Sequence, residues 1–163
     1  GSLSAGPVTW TLLCLLISTF ALIGWSLWHV HGDHGHVQKM LGPIMTPATL
    51  LPLAILNAFC EEIEFRMLQL GALLAGRSDN AASWVITSVV MSAMYFAVLH
   101  FVGGFPSGKS GFALVFCWAV FLGLLRWWTG GMGLVLLLHV QADVVIFVLV
   151  LMEERRRKRT FTS

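Results

Sequence analysis

The sequence predicts an all-α fold, a polytopic transmembrane bundle of about five helices. Three observations lead there. Hydrophobic residues make up 57% of the 163-residue chain and charged residues only 11%, against about 25% charged in soluble domains. The apolar residues gather into stretches close to the ~20 residues that a bilayer crossing needs. Finally, five of the ten Lys and Arg residues are condensed into Arg155-Arg156-Arg157-Lys158-Arg159, directly after the last such stretch. A water-soluble fold of this length cannot hide so much apolar surface, so much of it must face lipid.

The elements follow in order. Gly1 and Ser2 read as an expression scar, and residues 3–152 as a single transmembrane domain with its motif core at about 48–152. The first span runs from about Val8 to Trp28, with Trp10, Trp25 and Trp28 as interfacial anchors. No small-residue cleavage site follows a basic start, so this is read as a retained span. His29 to Pro47, rich in Gly, His and Pro, reads as a loop or interfacial segment. A second helix starts near Thr46 or Pro47, which supply a cap and a first-turn proline, and ends near Gly76. The third covers about Ala81 to Val102, with Ser78, Asp79 and Asn80 as turn and cap residues. Gly103 to Gly108 breaks the chain, and the fourth helix covers about Phe112 to Trp128. Thr129 to Gly133 breaks it again before a fifth helix from about Leu134 to Met152.

Residues 153–163 read as a basic cytoplasmic tail, the usual stop after a last span, close to anionic lipid head groups. With that tail inside and five full spans, Lys39 and Lys109 fall on the inner side and Arg77 and Arg126 on the outer. The chain is therefore expected to be an integral protein of a prokaryotic inner or plasma membrane. Its expected partners are the lipid bilayer and a membrane-associated peptide or protein, with no nucleic acid. Cys14, Cys60 and Cys117 are odd in number and form no CxxC, which implies neither a disulfide framework nor a zinc knuckle. Cys60 adjoins an acidic cluster, yet small buried hydrophobe is the better reading.

Of the eight acidic residues, four fall inside spans: Glu61, Glu62, Glu64 and Asp143. Arg66, His100 and His139 join them. A charge at mid-bilayer costs ~2.5–3.5 kcal/mol even on the lenient insertion scale, so such groups face the bundle interior or a water-filled cavity. At about 100° per residue, Glu62 and Arg66 are an i, i+4 pair suited to mutual neutralisation. Glu61 points away from Glu62 and is left available as a base, while Glu64 is placed either to raise the pKa of Glu61 by like-charge proximity or, the better reading, to snorkel towards water. Phe96 can pack on His100 at i, i+4. Asp143 can orient His139 at the same spacing. Structural glue between helices is the bland alternative, weakened by the spread of a carboxylate and two histidines over three helices.

These residues resemble a known family. Glu61-Glu62-Ile-Glu-Phe-Arg66 matches E-E-x-x-x-R, Phe96-Ala-Val-Leu-His100 matches F-x-x-x-H, and His139-Val-Gln-Ala-Asp143 matches H-x-x-x-(N/D). In this order they resemble the CPBP intramembrane proteases, which hold the type II CAAX prenyl endopeptidases and the bacterial Abi, or bacteriocin-processing, proteins. The resemblance implies a glutamate-dependent peptidase without a metal cofactor. Glu61 and His100 would activate a water, His139 and Asp143 would stabilise the oxyanion, and Glu62, Arg66 and Phe96 would support the site. Asp143 stands where many prenyl endopeptidases have Asn, and an ionised Asp cannot donate to an oxyanion. It must be protonated or serve only to position His139.

Two other classes stay open. Glu61, His100, His139 and Asp143 are also plausible zinc ligands, zinc being the alternative cofactor, although no H-E-x-x-H helix is present. A non-catalytic membrane scaffold or immunity protein would need none of this chemistry. The tract His29-Val30-His31-Gly32-Asp33-His34-Gly35-His36 would take up divalent metals opportunistically.

Overall fold

The computed structural model describes residues 13, 16–21, 23, 24, 46–76, 82–103 and 108–162. Trp10, Trp25, Trp28, Cys14, Lys39, Arg77, the His29–His36 tract and the turn at Ser78 to Asn80 lie outside these residues. Every regular element among the described residues is helical. They are α1 (Pro47–Glu62), a π-helical segment (Ile63–Gln69), α2 (Leu70–Ala75), α3 (Ala82–Gly103), α4 (Gly108–Thr129) and α5 (Gly133–Thr162). Residues 16–21 are helical as well. The all-α expectation holds.

The start of α1 is built as its sequence requires. The Thr49 N–H donates to Thr46 Oγ1 at 3.2 Å, and the Thr46 N–H donates to Thr49 Oγ1 at 2.8 Å. This reciprocal cap satisfies donors the helix cannot use itself, and Pro47 takes the first turn, where its missing N–H costs nothing. At the other end of the chain the sequence reading is corrected. The last helix was expected to stop at about Met152, but α5 continues to Thr162. Charge ends the apolar stretch, not the backbone geometry, because Glu, Arg and Lys are all good helix formers.

Two helices, α3 and α4, are long and apolar enough to cross a membrane, and Gly133–Leu149 is a shorter apolar stretch. The described residues divide into two compact units, one of Leu56–Leu136 and one of the chain up to Ile55 with Leu137–Ser163. Within the first, α3 packs on α4 and on the π segment. Phe65, Ala93, Phe96, Ala97, Val115 and Ala119 form one buried cluster, and Leu70, Val85 and Val89 form another. Lipid is as apolar as these side chains, so the hydrophobic effect does not hold the helices together; close packing and interhelical hydrogen bonds do. α4 packs tightly on α3 at Gly123, where an added Cβ would sit 2.9 Å from Val89 Cγ1. The outward residues Ile86, Val90, Met94 and Val102 of α3 and Phe121, Leu124, Trp127 and Trp128 of α4 are exposed, as a lipid-facing surface should be. At the end of α4, Gly130 adopts φ 65° and donates its N–H to Arg126 O at 3.0 Å, a left-handed stop that glycine takes without strain.

In the second unit, His139, Ala142 and Asp143 of α5 are buried. Ser18 donates to Gln141 Oε1 at 3.1 Å, and Gln141 Nε2 also meets Thr19 Oγ1. The early apolar segment is thereby joined to α5 through an amide that can bond to two hydroxyls at once.

Candidate active site

The acidic motif lies where the helix changes pitch. Glu61 and Glu62 end α1, and Arg66 sits in the π segment. The Leu70 N–H donates to Phe65 O, five residues back, where an α-helix would use Arg66 O. Glu62 and Arg66 meet as their spacing predicts, Arg66 Nη1 lying 3.2 Å from Glu62 Oε1 with both side chains 1% exposed. Two buried charges of opposite sign offset each other, and removing either would strand its partner. The guanidinium also lies 4.5 Å from the Phe96 ring centroid, within cation–π range. Its field reaches Glu61 as well as Glu62. A simple α-helical wheel turns Arg66 away from Glu61, but a π turn brings positions five apart onto one face.

His100 stands on the same stripe of α3 as Ser88, Ser92 and Phe96, each four residues from the next. Its ring lies 4.2 Å from that of Phe96, the packing that their spacing predicts. His100 Nδ1 is 3.0 Å from Phe96 O. A carbonyl only accepts, so Nδ1 carries the proton, and in the neutral ring Nε2 presents its lone pair. That Nε2 lies 3.8 Å from Glu61 Oε1, with both side chains partly exposed. The separation exceeds a direct hydrogen bond. Two acceptors this close can instead share one water, which donates one proton to each.

On α5, His139 Nε2 lies 3.9 Å from Asp143 Oδ1, both side chains being largely buried. The i, i+4 pairing brings them within electrostatic reach. Glu64 is exposed, in keeping with a side chain that snorkels. Cys60 corrects the sequence reading, since it is an exposed free thiol and not buried filler, and Cys117 is exposed as well. Cys60 shares the outward apolar side of α1 with Leu56 and Phe59, so proximity to Glu61 in sequence does not put its sulfur in the core. Among the described residues, no three His, Cys, Asp or Glu side chains are grouped as metal ligands would be.

Sequence reasoning passed over Ser92 and Gln69. Ser92 Oγ lies 3.1 Å from Phe65 O and 3.0 Å from the Gln69 side-chain amide. The only signal was positional: Ser92 precedes His100 by eight residues on one helix face.

The model of the Rce1-like family, the type II CAAX prenyl endopeptidases, matches residues 43–145. That span holds the carboxylates of the E-E-x-x-x-R segment, the F-x-x-x-H segment and the H-x-x-x-D segment, and it covers more than half of the chain. The protein belongs to the Rce1-like family of CAAX-type membrane proteases. No curated protein and no solved structure matches it.

Proposed function

We propose that this chain is an intramembrane endopeptidase that cleaves a membrane-associated peptide or protein with a water activated by Glu61 and His100. The observation that carries this reading is the pair itself: a carboxylate oxygen and an imidazole lone pair, 3.8 Å apart and partly exposed, beside a buried Glu62–Arg66 ion pair. Glu61 takes one proton from the water while Nε2 of His100 holds the other in line. The resulting hydroxide adds to the scissile carbonyl carbon, and the carbonyl oxygen becomes an oxyanion. Glu61 then returns its proton to the leaving amine as the C–N bond breaks.

The H-x-x-x-D segment resembles the part of the family's motif set that donates to such an oxyanion, which assigns that role to His139, worth ~2.7–4 kcal/mol in a dry site. Asp143 Oδ1, 3.9 Å from His139 Nε2, positions the ring. Glu62 and Arg66 fix the helix on which Glu61 stands. The chemistry is that of a glutamic peptidase and uses no metal. The basic tail is assigned to the cytoplasmic side, which the bias of Lys and Arg mildly favours.

The test is incubation of the purified protein in detergent with candidate membrane peptides, prenylated and unprenylated, beside Glu61→Gln. Cleavage by the native protein alone, unchanged by a chelator, supports the proposal. Peptides left intact by both would favour a non-catalytic scaffold, and loss of cleavage on chelation would favour zinc.

A further inference from the structure

We propose that Ser92 is a positioning residue of this site, acting through the π segment to hold Glu61 against His100; the inference rests on the protease reading above. A π turn is a rare backbone state, well under about 1% of residues. Such a state persists where its surroundings over-determine it. Here the surroundings are identifiable. Phe65 O accepts the π-type bond from the Leu70 N–H and a second bond from Ser92 Oγ on α3. The carbonyl that defines the register is therefore held from outside its own helix.

Gln69, the last residue of the π segment, completes the arrangement. Its amide lies 3.0 Å from the same hydroxyl. The Ser92 hydroxyl thus has two acceptors within reach, Phe65 O and Gln69 Oε1, between which its one proton is shared. This relay ties the Phe65 carbonyl and the Gln69 side chain, both in the π segment, to one point on α3. The same face of α3 carries Phe96 four residues on and His100 four beyond that. One helix thus fixes the pitch of the segment that follows Glu61 and also supplies the partner imidazole.

Relaxation of the π turn to α-helix would remove one residue from the turn. That rotates Glu61 by about 100° relative to α2, enough to take it off His100. Ser92 itself touches neither the carboxylate nor the imidazole. Its hydroxyl acts on the π segment alone, through the Phe65 carbonyl and the Gln69 side chain.

The experiment compares Ser92→Ala and Ser92→Thr with the native chain in detergent, with two readouts. On a membrane peptide that the native protein cleaves, Ser92→Ala should lower kcat about 10–100-fold, the scale expected for a misplacement of about 1 Å. KM should stay within about threefold, and Ser92→Thr, which keeps the hydroxyl, should restore most of kcat. The second readout needs no substrate. In 15N-histidine spectra, with the His100 signal assigned through His100→Gln, Glu61→Gln should shift the Nε2 resonance in the native background but not in Ser92→Ala. Should Ser92→Ala fail to fold, Gln69→Leu removes the outer half of the relay, with a smaller loss in the same direction. Native kcat together with an intact effect of Glu61→Gln on His100 would overturn the proposal. If no peptide is cleaved but the spectra behave as expected, the protease reading fails while the positioning role stands.

Discussion

Two neighbouring carboxylates of one motif meet opposite fates. Glu62 turns inward and closes at 3.2 Å on Arg66, whose guanidinium lies over the Phe96 ring. Glu61, one residue earlier, faces His100 across 3.8 Å at a partly exposed position. The first pair has spent its charge on structure; the second keeps a lone pair and a carboxylate aimed at a common point. The same residue type thus faces a guanidinium in one case and an imidazole in the other, a permanent cation against a group that can take up or give a proton.

The comparison breaks most directly at Glu61. Glu61→Gln should leave a folded helical protein and reduce cleavage by about 10²–10⁴-fold, read as kcat on a susceptible membrane peptide. Arg66→Met should do the reverse, acting on stability first: stranding Glu62 costs about 3–5 kcal/mol, measurable as a lowered unfolding midpoint in detergent. Adding Glu62→Leu to it should recover much of that loss, since an apolar pair leaves no charge uncompensated. Arg66→Lys should rescue poorly, because an ammonium lacks the planar face that lies over Phe96. Phe96→Leu sharpens the contrast by touching both pairs, its ring meeting Arg66 on one side and His100 on the other. It should cost about 0.5–2 kcal/mol of stability and lower kcat modestly. Glu64→Gln should change stability by less than about 0.5 kcal/mol, since Glu64 is exposed; a large loss of cleavage there would mean that the motif's third acid belongs to the site.

Much of this was legible in the sequence because hydropathy and i, i+4 spacing act locally. The helices fall where apolar stretches and Gly or Pro breaks put them, and Glu62–Arg66, Phe96–His100 and His139–Asp143 meet as their spacing requires. The π segment was not legible. Its register depends on the Ser92 hydroxyl, 27 residues away from Phe65, and helical periodicity carries no information about a bond from another helix. Nor was the full length of α5, since Arg155 to Arg159 mark the point where lipid ends without saying whether the backbone stays coiled. Gln141 escaped notice for the opposite reason: an amide in an apolar helix looks ordinary until Ser18 is found beside it.

The contact of Gly123 with Val89 bears on the spacing of α3 and α4. Because Val89 fills the space that any larger residue would need, a side chain at position 123 would have to wedge α4 away from α3. The spacing of the helix that carries His100 from its neighbour therefore depends on the absence of a single methyl group.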